Sequence, residues 1–262
     1  MPESILTTRP QRAFVLGTAL EITTYAKLID FCCSRVKLAG ATVIDFSNTH
    51  TVTMRRHDKD FHSASDCVDY FIPDGMPLVW CLNRQGAGLS DRVYGPTFMR
   101  RCVLATPAPL THYFLGGWPE SWTQLRNSFL TMLPSTQIVG SYHSCLSWQE
   151  ESSIVEEINR LSPDFVWVGL GAPKQYHWIS RLKSKLNRGV ILAVGFAFDV
   201  NAGTKKDAPF WMQRRGLTWL FRMASEPRRL GPRYLRYNSL FLFYLFWDVI
   251  RGRAGSPRST VF

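Results

Sequence analysis

Short apolar runs alternate along this chain with segments in which apolar residues recur at helical spacing. The runs that we predict as strands are residues 13–17, 41–46, 70–72, 112–115, 137–140, 165–168 and 190–194. The segments that we predict as helices are residues 23–37, 51–64, 96–104, 119–133, 149–161 and 173–186, with a further helix starting at Met76. Strands that alternate with helices in this way pack as a mostly parallel sheet covered on both faces. The pattern therefore predicts an α/β fold of the Rossmann-like kind.

The composition changes at about residue 204, where Trp, Arg and Pro become frequent. We predict an α/β domain over residues 1–203 and a basic, helical C-terminal appendage over residues 204–262. A chain of 262 residues with 45% hydrophobic content is large enough for one such domain with an appendage. Residues 1–11 are polar, and we expect them to be loose.

Positive charge is concentrated in the appendage. Residues 205–262 hold twelve Lys or Arg and three acidic residues, and so carry +9 of the net charge of +11. A nearly neutral body with a basic tail favours a polyanionic partner, either anionic lipid or nucleic acid. The apolar, aromatic run at residues 240–250 is shorter than the roughly 20 residues that span a bilayer, and arginines flank it instead of alternating with it. This favours a helix lying at a membrane interface and no nucleic-acid partner; packing on the protein's own core is the alternative.

The cysteines and the N-terminus indicate the compartment. The six cysteines, at positions 32, 33, 67, 81, 102 and 145, show no spacing of a metal site, and a reduced cytosolic setting with small buried thiols accounts for them. The N-terminus has no long apolar segment, so no signal peptide is evident. We expect a cytoplasmic protein that is peripheral at the inner face of the cell membrane.

The glycine-rich turn after residues 165–168 is suited to holding a diphosphate. Gly169 and Gly171 let the backbone approach a ligand, Pro173 suits a first helical position, and Lys174 adds a cation beside the free N–H groups of a helix start. The dinucleotide fingerprint requires a third glycine and an acidic residue about 20 positions further on, and both are missing here. This argues against NAD and leaves a nucleotide-sugar diphosphate open; a turn without a ligand is the alternative.

Three further places carry candidate chemistry. Asp74, in Pro73-Asp74-Gly75, follows a predicted strand, which puts it at the carboxyl edge of a parallel sheet as a candidate general base or an ordinary turn carboxylate. Arg92 could hold phosphate oxygens with its fork of donors or be a solvated surface residue. Asn48 and His50 lie just past the second predicted strand, where a ligand contact and a structural role are both open.

Two blocks of sequence together resemble a known family. The first block is Pro73-Asp74-Gly75-Met76-Pro77-Leu78-Val79-Trp80 followed by Arg92-Val93-Tyr94-Gly95. The second is Val168-Gly169-Leu170-Gly171-Ala172-Pro173-Lys174-Gln175, Phe198-Asp199, Ala202-Gly203-Thr204, Ala208-Pro209, Trp211-Met212-Gln213-Arg214, Gly216-Leu217, Trp219-Leu220, Arg222 and Glu226-Pro227-Arg228-Arg229. In order and spacing these blocks resemble the WecG/TagA/CpsF glycosyltransferases, also called glycosyltransferase family 26.

The resemblance implies an inverting, metal-independent glycosyltransferase that needs no cofactor. It would move a hexose from a UDP-sugar to a polyprenyl-diphosphate-linked sugar in the synthesis of a surface polysaccharide. Residues 1–203 would then be the catalytic domain, and residues 204–262 the part that associates with the membrane. Relatives transfer glucose, N-acetylmannosamine or its uronic acid, and no residue here discriminates among these sugars. Family members form oligomers, so a homo-oligomer is a further expectation.

The resemblance also assigns roles to residues. Asp74 matches the proposed base, Arg92 an active-site arginine, and Gln175 a site glutamine that could contact the donor. The family's tail is thought to fold over the active site, which makes Arg214 and Arg222 candidates to neutralise the leaving UDP; attraction to anionic lipid is their alternative role. The remaining tail candidates of this kind are Arg228 and Arg229.

The departures from the family pattern leave alternatives open. Many relatives have Thr-Pro-Asn where this chain has Phe46-Ser47-Asn48, so the family's active-site threonine has no clear counterpart. The histidines at positions 57, 62, 112, 143 and 177 form no metal-ligand spacing, which favours a metal-independent reaction. An NAD-dependent Rossmann oxidoreductase and a non-enzymatic, peripheral membrane-binding protein are the competing hypotheses.

Overall fold

The computed structural model of the protein describes residues 9–105, 109–117, 119–143 and 149–257. Cys145 and most of the N-terminal segment that we expect to be loose lie outside these residues. The strands are β1 (Arg12–Val15), β2 (Thr18–Glu21), β3 (Thr42–Ser47), β4 (Tyr70–Pro73), β5 (Thr111–Gly116), β6 (Gln137–Tyr142), β7 (Phe165–Gly169) and β8 (Val190–Ala193). The helices are α1 (Tyr25–Arg35), α2 (Thr49–His57), α3 (Lys59–Ser65), α4 (Met76–Asn83), α5 (Gly95–Ala105), α6 (Pro119–Met132), α7 (Glu151–Leu161), α8 (Lys174–Leu182), α9 (Ala197–Asn201), α10 (Phe210–Arg214), α11 (Thr218–Ser225) and α12 (Pro227–Ile250).

The described strands form one sheet in the order β1-β2-β4-β3-β8-β7-β5-β6. Only the edge pair β1 and β2 is antiparallel; the other neighbours pair in parallel. All residues of β3 and β8 are buried, as is typical of strands that are covered on both faces. The predicted α/β fold with a mostly parallel sheet is therefore confirmed.

Alternate residues along each strand point to opposite faces of the sheet and enter two separate cores. In β7, Val166 and Val168 pack with residues of α2, α3, α4, α7 and α8, whereas Phe165 and Trp167 pack with residues of α1, α5, α6 and α9. The helices thus cover both faces, and the ends of the central strands are left free to form a site.

The structure differs from the predicted elements at β2 and within the helix predicted over residues 51–64. Strand β2 was not predicted; it forms a hairpin with β1 through Leu16 and Gly17, which have φ angles of +50° and +81°. A two-residue turn with positive φ at both positions matches the twist of a hairpin. The predicted helix over residues 51–64 is two helices, because the backbone of Asp58 is extended and its side chain accepts a hydrogen bond from Phe61 N as the N-cap of α3.

The C-terminal segment is helical, as the sequence predicts, and its long helix α12 packs along α2. One stripe of α12 is buried, and the helix packs on both α2 and α11; the stripe consists of Leu230, Tyr234, Phe241, Tyr244 and Asp248. Asp248 accepts a hydrogen bond from Arg56 of α2 at 2.5 Å, and Tyr244 OH lies 2.7 Å from His57 Nδ1. Packing on the protein's own core, the alternative reading of this run, therefore describes one face of the helix.

The opposite face of α12 is apolar and exposed. Leu235, Leu242 and Phe246 have 74%, 64% and 64% of their surface accessible, and Phe243, Val249 and Ile250 are exposed beside them. Within the described ranges, no helix has both the length and the apolarity that crossing a bilayer requires. Since single exposed apolar residues are common and a contiguous set is not, this face is a candidate interaction surface.

Candidate active site

A cavity of about 120 Å³ opens at the carboxyl edge of the sheet, where ligands bind in open α/β folds. Its strand side is formed by residues at or just past the ends of β3, β4, β7 and β8, together with the start of α5. Its helix side is formed by residues of α11 and α12. We call this space the first cavity. Its lining includes Phe46, Asn48, His50, Asp74, Tyr94, Gly171 and Gln175 on the strand side, and Arg222, Arg233 and Tyr234 on the helix side.

Asp74 is held in place through its backbone and one carboxylate oxygen. Its N–H donates to Ser47 O at 2.7 Å, its carbonyl accepts from Arg92 Nη1 at 3.1 Å, and its Oδ1 accepts from Gly95 N at 3.1 Å. No donor in the described part of the chain bonds Oδ2. The carboxylate thus has a set orientation and one oxygen free to accept a proton in the first cavity.

Two side chains in the first cavity could accept a proton, and their pKa values are far apart. Burial raises the pKa of Asp74 to about 7, although the positive charge of Arg92 and the Gly95 N–H lower it. Burial lowers the pKa of His50 to about 3, and the charges of Arg233 and Arg222 lower it further. A general base works best when its pKa is close to the operating pH, so Asp74 is the better base of the two.

Asn48 and His50 belong to the start of α2. Asn48 is the N-cap, and its Oδ1 accepts from His50 N at 3.0 Å and from Thr51 N at 3.3 Å. Because the oxygen is used by the cap, the amide nitrogen is the part of Asn48 that could serve a ligand. The His50 ring packs edge-on against Tyr237 of α12, with 4.5 Å between the ring centres.

The turn between β7 and α8 reaches the first cavity at Gly171 and Gln175. Gly171 has a φ of +75°, a conformation that favours glycine, and its N–H donates to Gln175 Oε1 at 3.2 Å. Helix α8 begins at Lys174, one residue after Pro173, so Pro173 precedes the first helical residue instead of occupying it.

Gly169 and Lys174 do not line the first cavity. A Cβ atom at Gly169 would lie 2.6 Å from the ring of Phe198, so this glycine permits the close packing of α9 on β7. Lys174 is exposed at the start of α8. The structure thus does not bring the lysine to Asp74, and its predicted contact with a phosphate stays a prediction.

Arg92 is buried behind Asp74 instead of lining the first cavity. Besides its bond to Asp74 O, its Nη2 donates to Gln213 Oε1 at 3.3 Å and to Thr218 Oγ1 at 3.1 Å. Its guanidinium also lies 4.1 Å from the ring centre of Tyr94. These contacts connect the Asp74 loop to α10 and α11, and they use donors that the sequence prediction reserved for phosphate.

The helix side of the first cavity contributes two arginines, of which the sequence prediction named one. Arg222 lies with its guanidinium carbon 3.8 Å from the ring centre of Phe196, and Arg233 of α12 was not predicted. Within the described residues, the buried Nε atoms of both arginines have no hydrogen-bond partner. Burial lowers the pKa of Arg233, and the charge of Arg222 contributes to this shift. Neither arginine forms a salt bridge within the described residues, and the charge of Arg222 reaches only the Asp74 carboxylate in this cavity, so the pair forms an electrostatic site for a further anion.

Arg214 does not line the first cavity. It is exposed on α10, with its guanidinium 5.7 Å from the ring centre of Phe210. The only sequence signal that could have indicated Arg233 is the charge of the tail. Which arginines of the tail face the first cavity depends on how α12 lies on α2, and that is a tertiary contact.

Where many relatives have the active-site threonine, this chain has Phe46 and Ser47, and their side chains lie in different surroundings. Ser47 is buried and donates to Asp45 Oδ2 at 2.5 Å, whereas Phe46 forms part of the cavity wall. Asp45 also accepts a hydrogen bond from Tyr176 OH at 2.6 Å, and burial raises its pKa to about 6. The wall beside Asp74 is therefore aromatic at this position.

The described residues contain no group of three or more His, Cys, Asp or Glu side chains that could hold a metal ion. The sequence predicts no Asp-x-Asp motif of the kind that holds a divalent ion on a nucleotide-sugar, although Asp58-Lys59-Asp60 has the spacing. In the structure Asp58 caps α3, and both acids are exposed and do not line the first cavity.

Comparison with known proteins identifies the family. The chain matches the family described as Glycosyl transferase WecG/TagA/CpsF family over residues 13–255. Similar proteins include two from Staphylococcus aureus, strains MW2 and NCTC 8325, each 23% identical over 193 residues, or 74% of this chain and 72% of the relative. A third, from strain MRSA252, is 24% identical over 196 residues with the same coverage. All three are named N-acetylglucosaminyldiphosphoundecaprenol N-acetyl-beta-D-mannosaminyltransferase. Since the match spans most of the chain, this protein belongs to the WecG/TagA/CpsF family of glycosyltransferases.

Proposed function

We propose that the protein transfers a hexose from a UDP-sugar to a polyprenyl-diphosphate-linked sugar, with inversion and without a metal ion. The names of the relatives support this acceptor class, because they describe transfer to N-acetylglucosaminyldiphosphoundecaprenol. The same names make N-acetylmannosamine the first sugar to test. Membership of a glycosyltransferase family favours this function over an oxidoreductase or a non-enzymatic binder.

The observation that carries the proposal is the meeting of one carboxylate and two arginines in the first cavity. In the proposed step an acceptor hydroxyl attacks the anomeric carbon of the donor while Asp74 Oδ2 takes its proton. The bond from that carbon to the diphosphate oxygen breaks, and UDP leaves with both bonding electrons. A single displacement of this kind needs one base and inverts the anomeric configuration.

In this proposal the leaving diphosphate contacts Arg222, Arg233 and the backbone at the start of α8. Donors that already point at the developing charge stabilise it without reorganisation. The amide groups of Gln175 and Asn48 would contact the donor or the acceptor. Arg92 would act through its hydrogen bonds, by holding Asp74 and joining its loop to the C-terminal helices.

We also propose that the exposed face of α12 attaches the protein to the inner surface of the cell membrane. Exposed Leu and Phe side chains gain free energy when they leave water, and basic residues near the membrane add attraction to anionic lipid. Arg236 and Arg251 are exposed on the same segment. Such attachment would hold the enzyme where a polyprenyl-linked acceptor is found.

A panel of UDP-sugars, offered with polyprenyl-diphosphate-linked N-acetylglucosamine and EDTA, tests the catalytic proposal. We expect one UDP-sugar to give a product heavier by a single sugar, detected by mass spectrometry. Titration with UDP and with NADH provides the control for the nucleotide. Binding of NADH without UDP, or no product with any donor, would contradict the proposal.

Vesicle sedimentation tests the membrane attachment. With vesicles of phosphatidylglycerol and phosphatidylcholine, we expect Leu242→Ser to weaken binding about tenfold, because burying one leucine contributes roughly 1.5–3 kcal/mol. Leu38→Ser is the matched control, since Leu38 is 43% exposed outside the C-terminal segment. Equal loss in the two variants would indicate that α12 is not the attachment surface.

A further inference from the structure

A second cavity, of about 350 Å³, adjoins the first. It is lined by Phe196, Lys205, Lys206, Arg222, Ser225 and Glu226, and we call it the second cavity. Phe196 and Arg222 line both cavities, so the two spaces share one wall. Asp74 lines the first cavity alone, and therefore the second cavity is not the place where the proton is transferred.

The second cavity has an excess of positive charge. Its one acid, Glu226, is already paired, because it accepts from Lys205 Nζ at 2.8 Å and also bonds Arg229. The hydrogen bond from Arg229 is the largest cause that lowers the pKa of Glu226 to about 2, so the carboxylate is ionised. Lys206 is exposed and has no ion-pair or hydrogen-bond partner among the described residues. Together with Arg222 it offers charge to an incoming anion.

We propose that the second cavity binds the diphosphate of the lipid-linked acceptor. This inference rests on the proposed function, in which two diphosphates must be bound at once. The donor's diphosphate is attached to the carbon that is attacked. The acceptor's diphosphate is attached to the anomeric carbon of the acceptor sugar, and the proposal takes the attacking hydroxyl to lie on the opposite side of that ring. With that hydroxyl at Asp74, the acceptor's diphosphate falls about one sugar ring away, beyond the wall formed by Arg222 and Phe196.

The surroundings of the second cavity suit a ligand with a lipid tail. Exposed apolar side chains lie on α10 and α11, the helices between Lys206 and Ser225 along the chain: Phe210, Trp211 and Leu220 are 69%, 54% and 38% exposed. A polyprenyl chain that leaves the diphosphate could pass over these side chains to the membrane. Arg222, between the cavities, would then contact both diphosphates and set their separation.

The charge reversal Lys206→Glu tests this site, with Lys37→Glu as the matched control. Both lysines are exposed, and Lys37 lines neither cavity. A short-chain, water-soluble acceptor is used without any bilayer, which excludes effects on lipid headgroups. We expect Lys206→Glu to raise the KM for the acceptor about tenfold or more and to leave the KM for the UDP-sugar within about twofold, since a tenfold change corresponds to about 1.4 kcal/mol. An unchanged acceptor KM, or a rise in the donor KM alone, would overturn the proposal.

Direct binding separates this inference from the proposed function. Inorganic pyrophosphate is titrated into the protein with UDP held at saturation, so that the first cavity is occupied. The wild-type protein and Lys37→Glu should bind pyrophosphate, and Lys206→Glu should bind it about tenfold more weakly. Equal pyrophosphate binding by all three proteins would contradict the proposal that the second cavity binds the acceptor's diphosphate. If UDP itself does not bind, the proposed function fails, and the pyrophosphate titration still decides whether the second cavity is an anion site.

The third measurement is the binding of Lys206→Glu and Lys37→Glu to anionic vesicles. If Lys206→Glu weakens vesicle binding but changes neither the acceptor KM nor pyrophosphate binding, the second cavity serves a lipid headgroup and the proposal is wrong. Equal circular dichroism spectra and equal UDP affinity of the two variants confirm that the charge reversal leaves the fold intact.

Discussion

The two sides of the first cavity differ in charge and in how their side chains are hydrogen-bonded. On the strand side, Asp74, Asn48 and Gln175 are neutral or acidic, and hydrogen bonds within the protein hold them. On the helix side, Arg222 and Arg233 are positive, and their buried Nε atoms have no partner within the described residues. The strand side is thus ordered before a ligand arrives, whereas the helix side is short of a negative charge.

This difference suggests a division of labour. Hydrogen-bonded groups at the strand ends fix the geometry that a base requires. Arginines that form no salt bridge within the described residues supply the positive charge that a diphosphate requires. Neither side supplies both a fixed geometry and positive charge. We therefore expect variants of the strand side to stop the chemical step and variants of the helix side to weaken nucleotide binding as well.

The largest effect is expected for Asp74→Asn, which removes the base and keeps the shape of the side chain. Turnover should fall by about 10³-fold, within the range for loss of a general base, while the affinity for UDP stays nearly unchanged. Product formation followed by mass spectrometry and a UDP titration measure the two quantities. Asp60→Asn, at an exposed acid, is the control, and turnover near the wild-type rate in Asp74→Asn would refute the assignment.

A smaller loss is expected on the helix side from Arg233→Ala. We expect kcat/KM to fall by about 10²-fold and UDP to bind more weakly, because a charge-assisted contact to the diphosphate is lost. Arg236→Ala is the matched control, three residues further along α12 and exposed. If both variants behave alike with a water-soluble acceptor, position in the cavity does not matter and the comparison between the two sides fails.

The mildest perturbation is a change of pH. Since burial raises the pKa of Asp74 to about 7, the active carboxylate form should increase as pH rises through neutrality, and kcat/KM should rise about tenfold between pH 6 and pH 8. A profile that is flat over this range would exclude Asp74 as the titrating base.

The same raised pKa predicts an effect on stability with a definite sign. The unfolded state ionises Asp74 near its ordinary pKa of about 4 and the folded state only near 7, so this residue's contribution to stability falls as pH rises between these values. Asp74→Asn removes this cost, and its melting temperature at pH 8 should therefore exceed that of the wild type. A lower melting temperature would show that the carboxylate stabilises the fold at that pH.

Much of the architecture followed from local patterns. Strands such as Val190–Ala193 are continuous apolar runs, and the helices between strands show apolar residues at helical spacing, so their existence and parallel pairing could be predicted. Strand β2 could not, because Thr18–Glu21 mixes polar and apolar residues and owes its pairing to the positive φ angles of Leu16 and Gly17.

The candidate site was predictable in part. Asp74, Asn48, His50, Gly171 and Gln175 follow strand ends, and parallel strands bring their carboxyl ends to one edge, which is why the structure places them in one cavity. Lys174 was predicted from its charge beside a helix start and Arg214 from the resemblance of the tail, and both are exposed outside that cavity. The sequence shows that a cationic residue is present but not which way its side chain points.

The sequence by itself determined the α/β fold, the family and the strand-end position of Asp74. The spacing of apolar residues, the composition and the order of the motifs can all be read directly along the chain. Tertiary structure alone decided that Arg233 faces the first cavity, that Arg92 lies behind Asp74, and that one face of α12 remains exposed. These features depend on how α12 and α11 lie against the sheet and α2. Contacts between residues more than a hundred positions apart, such as Arg56 with Asp248, set that arrangement, and no local pattern records them.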